Sequence, residues 1–103
     1  MAHRERRVVW SDAALTSLED VLAYIAEDSP ISARHVAEQA IAAADSLATL
    51  SERGRIVPEV GDPTVREIFV FRYRLMYEVT NTEVRIIGFV HGARDLESLR
   101  RRQ

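Results

Sequence analysis

Hydrophobic and polar residues follow two different periods along this chain, one in each half. In the C-terminal half they alternate, most clearly over residues 72–79, where one set is Tyr73, Leu75, Tyr77 and Val79 and the other is Arg72, Arg74, Met76 and Glu78. Strict alternation is typical of a β-strand whose two faces have different surroundings. Similar runs over 65–70 and 83–90, and a β-branched and aromatic run over 4–10, predict three further strands.

In the N-terminal half, apolar residues recur every three or four positions, which is the spacing of an amphipathic helix. A first helix is predicted after Ser11, a good N-cap residue, and a second after Ser29 and Pro30. The second helix is expected to run to Leu50 and to be terminated by Gly54. The apolar positions are Leu15, Leu18, Val21, Leu22 and Ile25, then Ala33, Val36, Ala37, Ala40, Ile41, Ala44, Leu47 and Leu50. The alanines predict close approach of the two helices in an antiparallel hairpin.

The segment 55–64 contains Pro58, Gly61 and Pro63 and is therefore predicted to be a loop. The element order is then β-α-α-β-β-β, without a repeat or an internal domain boundary. We predict one α+β domain over residues 1–103, with a polar C-terminal tail from about residue 92. In this architecture, an antiparallel helical hairpin packs on a small, mostly antiparallel sheet.

A two-residue Asn-Thr turn at Asn81-Thr82 would fix the register of the last two strands. The apolar pairs, which should lie against the helices, are then Val79 with Val84, Tyr77 with Ile86, Leu75 with Gly88, and Tyr73 with Val90. The pairs on the opposite face are Glu78 with Arg85, Met76 with Ile87, Arg74 with Phe89, and Arg72 with His91. This second face would gather Arg72, Arg74 and His91 near one end, on a partly apolar floor. The floor consists of Met76, Ile87 and Phe89, and such a face is typical of a surface that binds a partner. The alternative is that the arginines form ordinary salt bridges with Glu59, Glu67 or the acidic helices.

Charge is unevenly distributed along the chain, although the net charge is only −2. Residues 1–52 contain 4 Arg against 9 Asp and Glu, a balance of −5, whereas residues 53–103 contain 10 Arg against 7, a balance of +3. All basic residues are arginine, whose planar guanidinium suits phosphate and carboxylate groups. There is no cysteine, the three histidines are scattered, and no apolar run has the length of a membrane span. We therefore expect a cytoplasmic protein without a metal or another cofactor.

Several segments together resemble the RelE/ParE superfamily of bacterial toxin–antitoxin toxins. They are GRIVPEV, VRE, YRLMYEV and VHGARDL, in a chain with the element order of that superfamily, and the resemblance covers about residues 6 to 96. It implies a type II toxin that inhibits growth unless its cognate antitoxin binds it. RelE-type members cleave mRNA in the ribosome without metal, whereas ParE-type members inhibit DNA gyrase, so the implied target is either gyrase or the ribosome with its mRNA.

The resemblance also implies roles for individual residues. If the chain is a ribonuclease, Arg74 matches the residue that stabilises the phosphate, His91 the catalytic acid and Glu59 the base. For binding of the target or antitoxin, the candidates are Arg66, Arg72, Arg74, Arg85, Phe89 and Arg94. Arg66 would lie on the helix-packed face if the turn at Phe71-Arg72 is short, and beside Arg74 if that hairpin contains a bulge.

Two departures separate this chain from one RelE-type subgroup, which uses a pair of lysines and a C-terminal tyrosine. The chain has no lysine and no tyrosine after Tyr77. These departures favour a ParE-like gyrase target or an unassigned one. A metal-free, ribosome-dependent mRNA endoribonuclease is the first alternative, and a non-catalytic module that retains only antitoxin binding is the second. Whether the chain is an enzyme stays open from the sequence.

Overall fold

The computed structural model describes residues 5–93, which form two helices and a five-stranded sheet. The elements are β1 (Arg7–Trp10), α1 (Asp12–Asp28), α2 (Pro30–Ser46), β2 (Arg55–Ile56), β3 (Val65–Val70), β4 (Tyr73–Val79) and β5 (Glu83–His91). The strand order is β1-β5-β4-β3-β2. Because β1 runs parallel to β5 and the other neighbours are antiparallel, the predicted mostly antiparallel α+β fold is confirmed.

Both helices begin where the sequence predicts. The Ser11 hydroxyl accepts a hydrogen bond from the backbone N–H of Ala14, and the Ser29 hydroxyl accepts one from Ser32. These bonds satisfy N–H groups that have no partner within the first helical turn. None of the helices in the described part of the chain is long and apolar enough to cross a membrane.

The predicted end of the second helix is wrong. The helix ends at Ser46, and the chain then tightens into a turn in which Leu47 donates to the carbonyl of Ala44. The carbonyl of Ala48 accepts from the backbone of Arg6, which ties this turn to the start of β1. Leu47 is consequently buried, whereas Leu50 is about half exposed.

The main core lies between the helical hairpin and one face of the sheet. Leu75, Tyr77, Ile86 and Phe89 are fully buried on that face. Fully buried alanines on both helices allow the close approach that the sequence predicts. The predicted helix-facing role of Tyr73 and Tyr77 is therefore confirmed.

The predicted hairpin register is correct only up to a β-bulge. The pairs Val79–Val84, Glu78–Arg85 and Tyr77–Ile86 are observed. Beyond them Ile87 is an extra residue, so Gly88 faces Met76 and every later pair is shifted by one. The observed pairs are Leu75–Phe89, Arg74–Val90 and Tyr73–His91, and the predicted pairs Leu75–Gly88, Tyr73–Val90, Met76–Ile87, Arg74–Phe89 and Arg72–His91 are wrong.

The bulge changes what lies on the face opposite the helices. It turns Phe89 into the main core, where the ring stacks on Tyr73 with 5.2 Å between centroids. The proposed floor of Met76, Ile87 and Phe89 is therefore not an open patch. Met76 is buried beneath the segment 57–64, in a second small core with Val57 and Val65.

Candidate functional site

Arg74 lies on the face of β4 that the 57–64 segment covers, and it is almost completely buried. Its Nε donates to Oε1 of Glu67 at 2.6 Å. Its two terminal nitrogens donate to the two carboxylate oxygens of Glu59 at 3.0 and 2.8 Å, a bidentate pair. Carboxylates of the chain itself therefore bind both the Nε and the two terminal nitrogens of this guanidinium.

Glu67 extends this ion-pair network to the sheet edge. Its side chain is fully buried, and its second oxygen accepts from Nε of Arg55 at 2.6 Å. The Arg55 guanidinium lies over the ring of Phe69, 5.4 Å from its centroid. We call Arg55, Glu59, Glu67 and Arg74 the Arg74 cluster; its two positive and two negative charges balance.

From the sequence, Glu67 is expected only as an alternative salt-bridge partner of the arginines, and Arg55 only as a possible ion-pair partner of Glu59. Their direct pairing across β2 and β3 is an opposite-charge cross-strand pair, which is the signal that could have indicated them. That signal was hidden because Arg55 and Ile56 fall in the segment that Pro58 and Gly61 mark as a loop.

The Arg74 cluster controls the protonation of Glu59. The hydrogen bonds from Arg74 favour the carboxylate and lower the pKa of Glu59 to about 2, against the opposing effect of burial and with smaller contributions from the backbone of Glu59 and from the charges of Arg74 and Arg55. The same bonds to Glu59, and the single bond to Glu67, raise the pKa of Arg74 above its ordinary value. Glu59 is therefore ionised at neutral pH and is a weak proton acceptor there.

His91 lies on the opposite face of the sheet from Arg74. It pairs with Tyr73, whose ring it meets edge-on at 5.8 Å, and its Nδ1 accepts from the backbone N–H of Ala93. It lines a groove of about 370 Å³ with residues of α1 such as Asp20 and Tyr24. The structure thus brings Glu59 and Arg74 together but separates His91 from both.

The other predicted binding residues are dispersed. The turn at Phe71-Arg72 has two residues, so Arg66 lies on the helix-packed face opposite Tyr77 and donates to the carbonyl oxygens of Gly54 and Pro63. Arg72 is exposed in that turn. Arg85 is half exposed and pairs with Glu83 at 3.0 Å and with Glu78 at 3.9 Å, which confirms the predicted cross-strand pair.

Two further binding candidates cannot be assigned to an exposed surface of the described structure. Phe89 is buried in the main core and cannot contact a partner from there. Arg94 lies outside the described residues. Among residues 5–93, no three His, Cys, Asp or Glu side chains are placed so that they could hold a metal ion.

Comparison with known proteins assigns the chain to a family. Residues 8–96 match the family model described as the ParE toxin of the type II toxin–antitoxin system parDE. The curated protein Toxin RelE2 of Caulobacter vibrioides is 38% identical over 89 residues, which cover 85% of this chain and 97% of that relative. A solved structure titled as a chromosomal ParDE TA system from P. aeruginosa has the same fold, with a TM-score of 0.69 at 16% identity over 85% of this chain and 97% of that one. The chain therefore belongs to the ParE toxin family of type II toxin–antitoxin systems.

Proposed function

We propose that this toxin arrests growth by binding a protein target, DNA gyrase, rather than by cutting RNA, and that a cognate antitoxin prevents this. Membership of the ParE toxin family supports the toxin role and an antitoxin as partner. The observation that supports a protein target is the closed Arg74 cluster, in which the residues that a ribonuclease would use already bind each other.

Metal-free cleavage of RNA needs three groups around one phosphate. A base must take the proton of the 2′-OH, an acid must protonate the departing oxygen, and a cation must stabilise the phosphorane. Glu59 is a weak base because its pKa is about 2. Arg74 has its donors on Glu59 and Glu67, and His91 is on the other face of the sheet.

Exposed arginines and exposed apolar groups remain for contact with a partner, at two ends of β4: Arg72 lies in the β3–β4 turn, and Arg85 pairs with Glu78 near the other end. Arg72 and Arg85 keep the binding role proposed for them, because neither is buried. Phe71 and Ile31 are largely exposed on the side of the molecule formed by α2 and the β3–β4 turn. Apolar groups in such a patch are typical of protein–protein contact surfaces. Because gyrase acts on the chromosome, this proposal also places the toxin in the bacterial cytoplasm.

The test measures two activities of the same purified protein. Supercoiling by gyrase is followed with and without toxin, and mRNA cleavage is followed by primer extension in a translating extract. We expect loss of supercoiling and intact mRNA, and ribosome-dependent cuts with unaffected supercoiling would refute the proposal. If the toxin neither reduces supercoiling nor causes mRNA cleavage, and cells grow normally during abundant expression, the result would favour a module that binds only its antitoxin.

Exposed residues provide the variants for this test. Arg72→Glu changes a side chain in the exposed β3–β4 turn, so folding should be unaffected while binding to the target weakens. Glu19→Arg is the control because it reverses a charge of the same size at an exposed position of α1, and not on α2 or the β3–β4 turn. Co-expression with the cognate antitoxin should restore growth in cells that carry the wild type.

A further inference from the structure

We propose that the groove between α1 and the end of β5 is the docking site of the chain's own C-terminal segment, residues 94–103. This is the groove that His91 lines together with Asp20 and Tyr24. Residues 94–103 lie outside the described structure, but they begin three residues after His91, at the edge of the groove. The inference does not depend on the target of the toxin, because it concerns a contact within one chain.

The groove is apolar and has a large exposed side chain at its rim. Side chains of β4, β5 and α1 line it, including those of Tyr73, Phe89, Val90 and Val21. The Tyr24 side chain borders the same groove and is 74% exposed. An exposed ring beside an apolar groove is typical of a surface that another segment covers. Residues 94–103 contain Leu96 and Leu99, whose spacing of three would place both on one side of a helical turn.

The charge of α1 calls for a basic segment. The helix contains five acidic residues and no basic one, and none of these five carboxylates forms an ion pair in the structure of residues 5–93. Glu27 and Asp28 lie in its last turn, where they add to the negative end of the helix dipole, an arrangement that a cation would stabilise. Residues 94–103 contain four arginines against two acidic residues, and three of these arginines are consecutive at 100–102.

The sheet directs the C-terminal segment towards this end of α1. The backbone N–H of Ser11, at the start of the helix, donates to the carbonyl of Ile86 in β5. Farther along both elements, Asp20 and Tyr24 line the groove with His91. The helix and the strand therefore run in the same direction, and the chain leaves β5 on the way to the last turn of α1.

The segment is also long enough for this contact. Leu99 is eight residues beyond His91, and eight residues of extended chain span up to about 26–29 Å. From Asp20 to Asp28 the helix rises only about 12 Å. The arginines at 100–102 can therefore contact the last turn of α1 while the two leucines lie in the groove.

The experiment attaches a spin label to Gln103→Cys in the full-length protein, a unique labelling site because the chain has no cysteine. Relaxation enhancement of the backbone N–H signals in NMR spectra then reports how close the end of the chain lies to each residue. We expect strong enhancement at Tyr24 and Asp28. Little enhancement is expected at Ile56, because β2 is at the far edge of the sheet from β1.

Charge variants separate docking from the mere proximity of a tethered chain end. Asp20→Arg combined with Asp28→Arg should lower the enhancement at Tyr24 at least about threefold, since two exposed ion pairs are lost. Further addition of Arg100→Glu and Arg102→Glu should restore it, because the charges again have opposite signs. Glu19→Arg is the matched control and should change nothing, because Glu19 is exposed on α1 but does not line the groove.

The melting temperature shows whether each variant is folded. If the double charge reversal does not fold, the wild type in about 1 M salt replaces it, because the screening length there is about 3 Å and the enhancement at Tyr24 should fall in the same way.

Three results would overturn the proposal. One is equal enhancement at Tyr24 in the wild type and the double charge reversal, because the tether alone then explains it. Another is strongest enhancement in the 57–64 segment, which lies on the other face of the sheet. The third comes from a mixture of spin-labelled protein and isotope-labelled protein without a spin label: enhancement at Tyr24 in the latter would show that the segment of a second copy fills the groove. No gyrase, ribosome or antitoxin is present, so failure here is distinct from failure of the proposed function.

Discussion

Replacing Glu67 with methionine should destabilise the domain far more than a typical substitution. Glu67 and Arg74 are both buried, with 0% and 4% of their side chains exposed. Removal of one partner from a buried ion pair costs about 3–5 kcal/mol, because the other charge remains in a poorly solvated place. We expect the lower end, about 3 kcal/mol, because Arg74 keeps its bidentate bond to Glu59 and Arg55 can turn to solvent.

This loss is measurable by urea denaturation followed by circular dichroism. Small domains have an unfolding free energy of about 5–15 kcal/mol, so 3 kcal/mol is a substantial fraction of the total. With a urea dependence of about 1–3 kcal/mol per molar, the midpoint should fall by about 1–3 M at an unchanged slope.

A double variant distinguishes the loss of the Glu67–Arg74 attraction from the cost of leaving one buried charge without a partner. Replacing Glu67 and Arg74 together with methionine removes both buried charges and keeps similar volume, and such exchanges are often neutral or stabilising. We expect each single variant to cost about 3 kcal/mol or more and the double variant to lie within about 1 kcal/mol of the wild type. A cost below about 1 kcal/mol for Glu67→Met, or a double variant whose cost equals the sum of the singles, would refute this account of the Arg74 cluster.

Three further predictions concern other parts of the domain. The pKa of Glu59 is lowered from 4.5 to about 2, so its pairing with Arg74 stabilises the fold fully above pH 4.5 and this stabilisation is lost as the pH falls towards 2. Solvent screening reduces the effect, and we expect Glu59→Gln to abolish about 1–2 kcal/mol of this pH dependence in urea melts. Gly54→Ala should cost about 1–3 kcal/mol, because a Cβ there would lie 2.5 Å from the carbonyl oxygen of Glu67 and 2.6 Å from the Tyr77 hydroxyl. Phe71→Asn should stabilise the fold by up to about 1 kcal/mol in the same assay, because Phe71 has a φ of 56° and asparagine tolerates this conformation better.

Each of these predictions has a control in the same domain. If Glu59→Gln follows the wild-type pH profile between 6 and 2, the carboxylate is not stabilised by Arg74. Gly88→Ala should cost less than Gly54→Ala, because its Cβ would meet only the flexible end of Met76, at 2.9 Å. Phe71→Ala removes the ring contact with His35 but keeps the strained backbone, so it must be less stable than Phe71→Asn if strain is the cause.

The elements of the fold could be predicted because their signals are local. The cap residues Ser11 and Ser29 act within three positions, and the helical period persists over several turns. The turn at Asn81-Thr82 determines the nearest strand pairs by itself, which is why Val79–Val84 and Tyr77–Ile86 are correct.

The bulge could not be predicted from the same pattern. Residues 86–90 are uninterrupted by polar side chains, so alternation does not define which of them face the helices. Gly88 is the one local indication, since a glycine inside a strand often marks a bulge or a close contact. Without the bulge, the sequence assigns Phe89 and His91 to the face of Arg74, and the candidate site appears more complete than it is.

The burial of Arg74 determines how toxicity experiments on it must be designed. Loss of growth arrest in a single Arg74 variant would be ambiguous, because the variant leaves Glu67 buried with only Arg55 as its partner and can fail to fold. The double methionine variant lacks both members of the buried pair but should fold, so its activity reports on the Arg74–Glu67 pair without the cost of an unpaired buried charge. If the toxin acts through exposed residues such as Arg72, the double variant should still arrest growth and inhibit supercoiling. If that variant melts like the wild type but has lost both growth arrest and inhibition of supercoiling, the buried Arg74–Glu67 pair is needed for activity, and the proposal that the toxin acts through exposed residues alone is wrong.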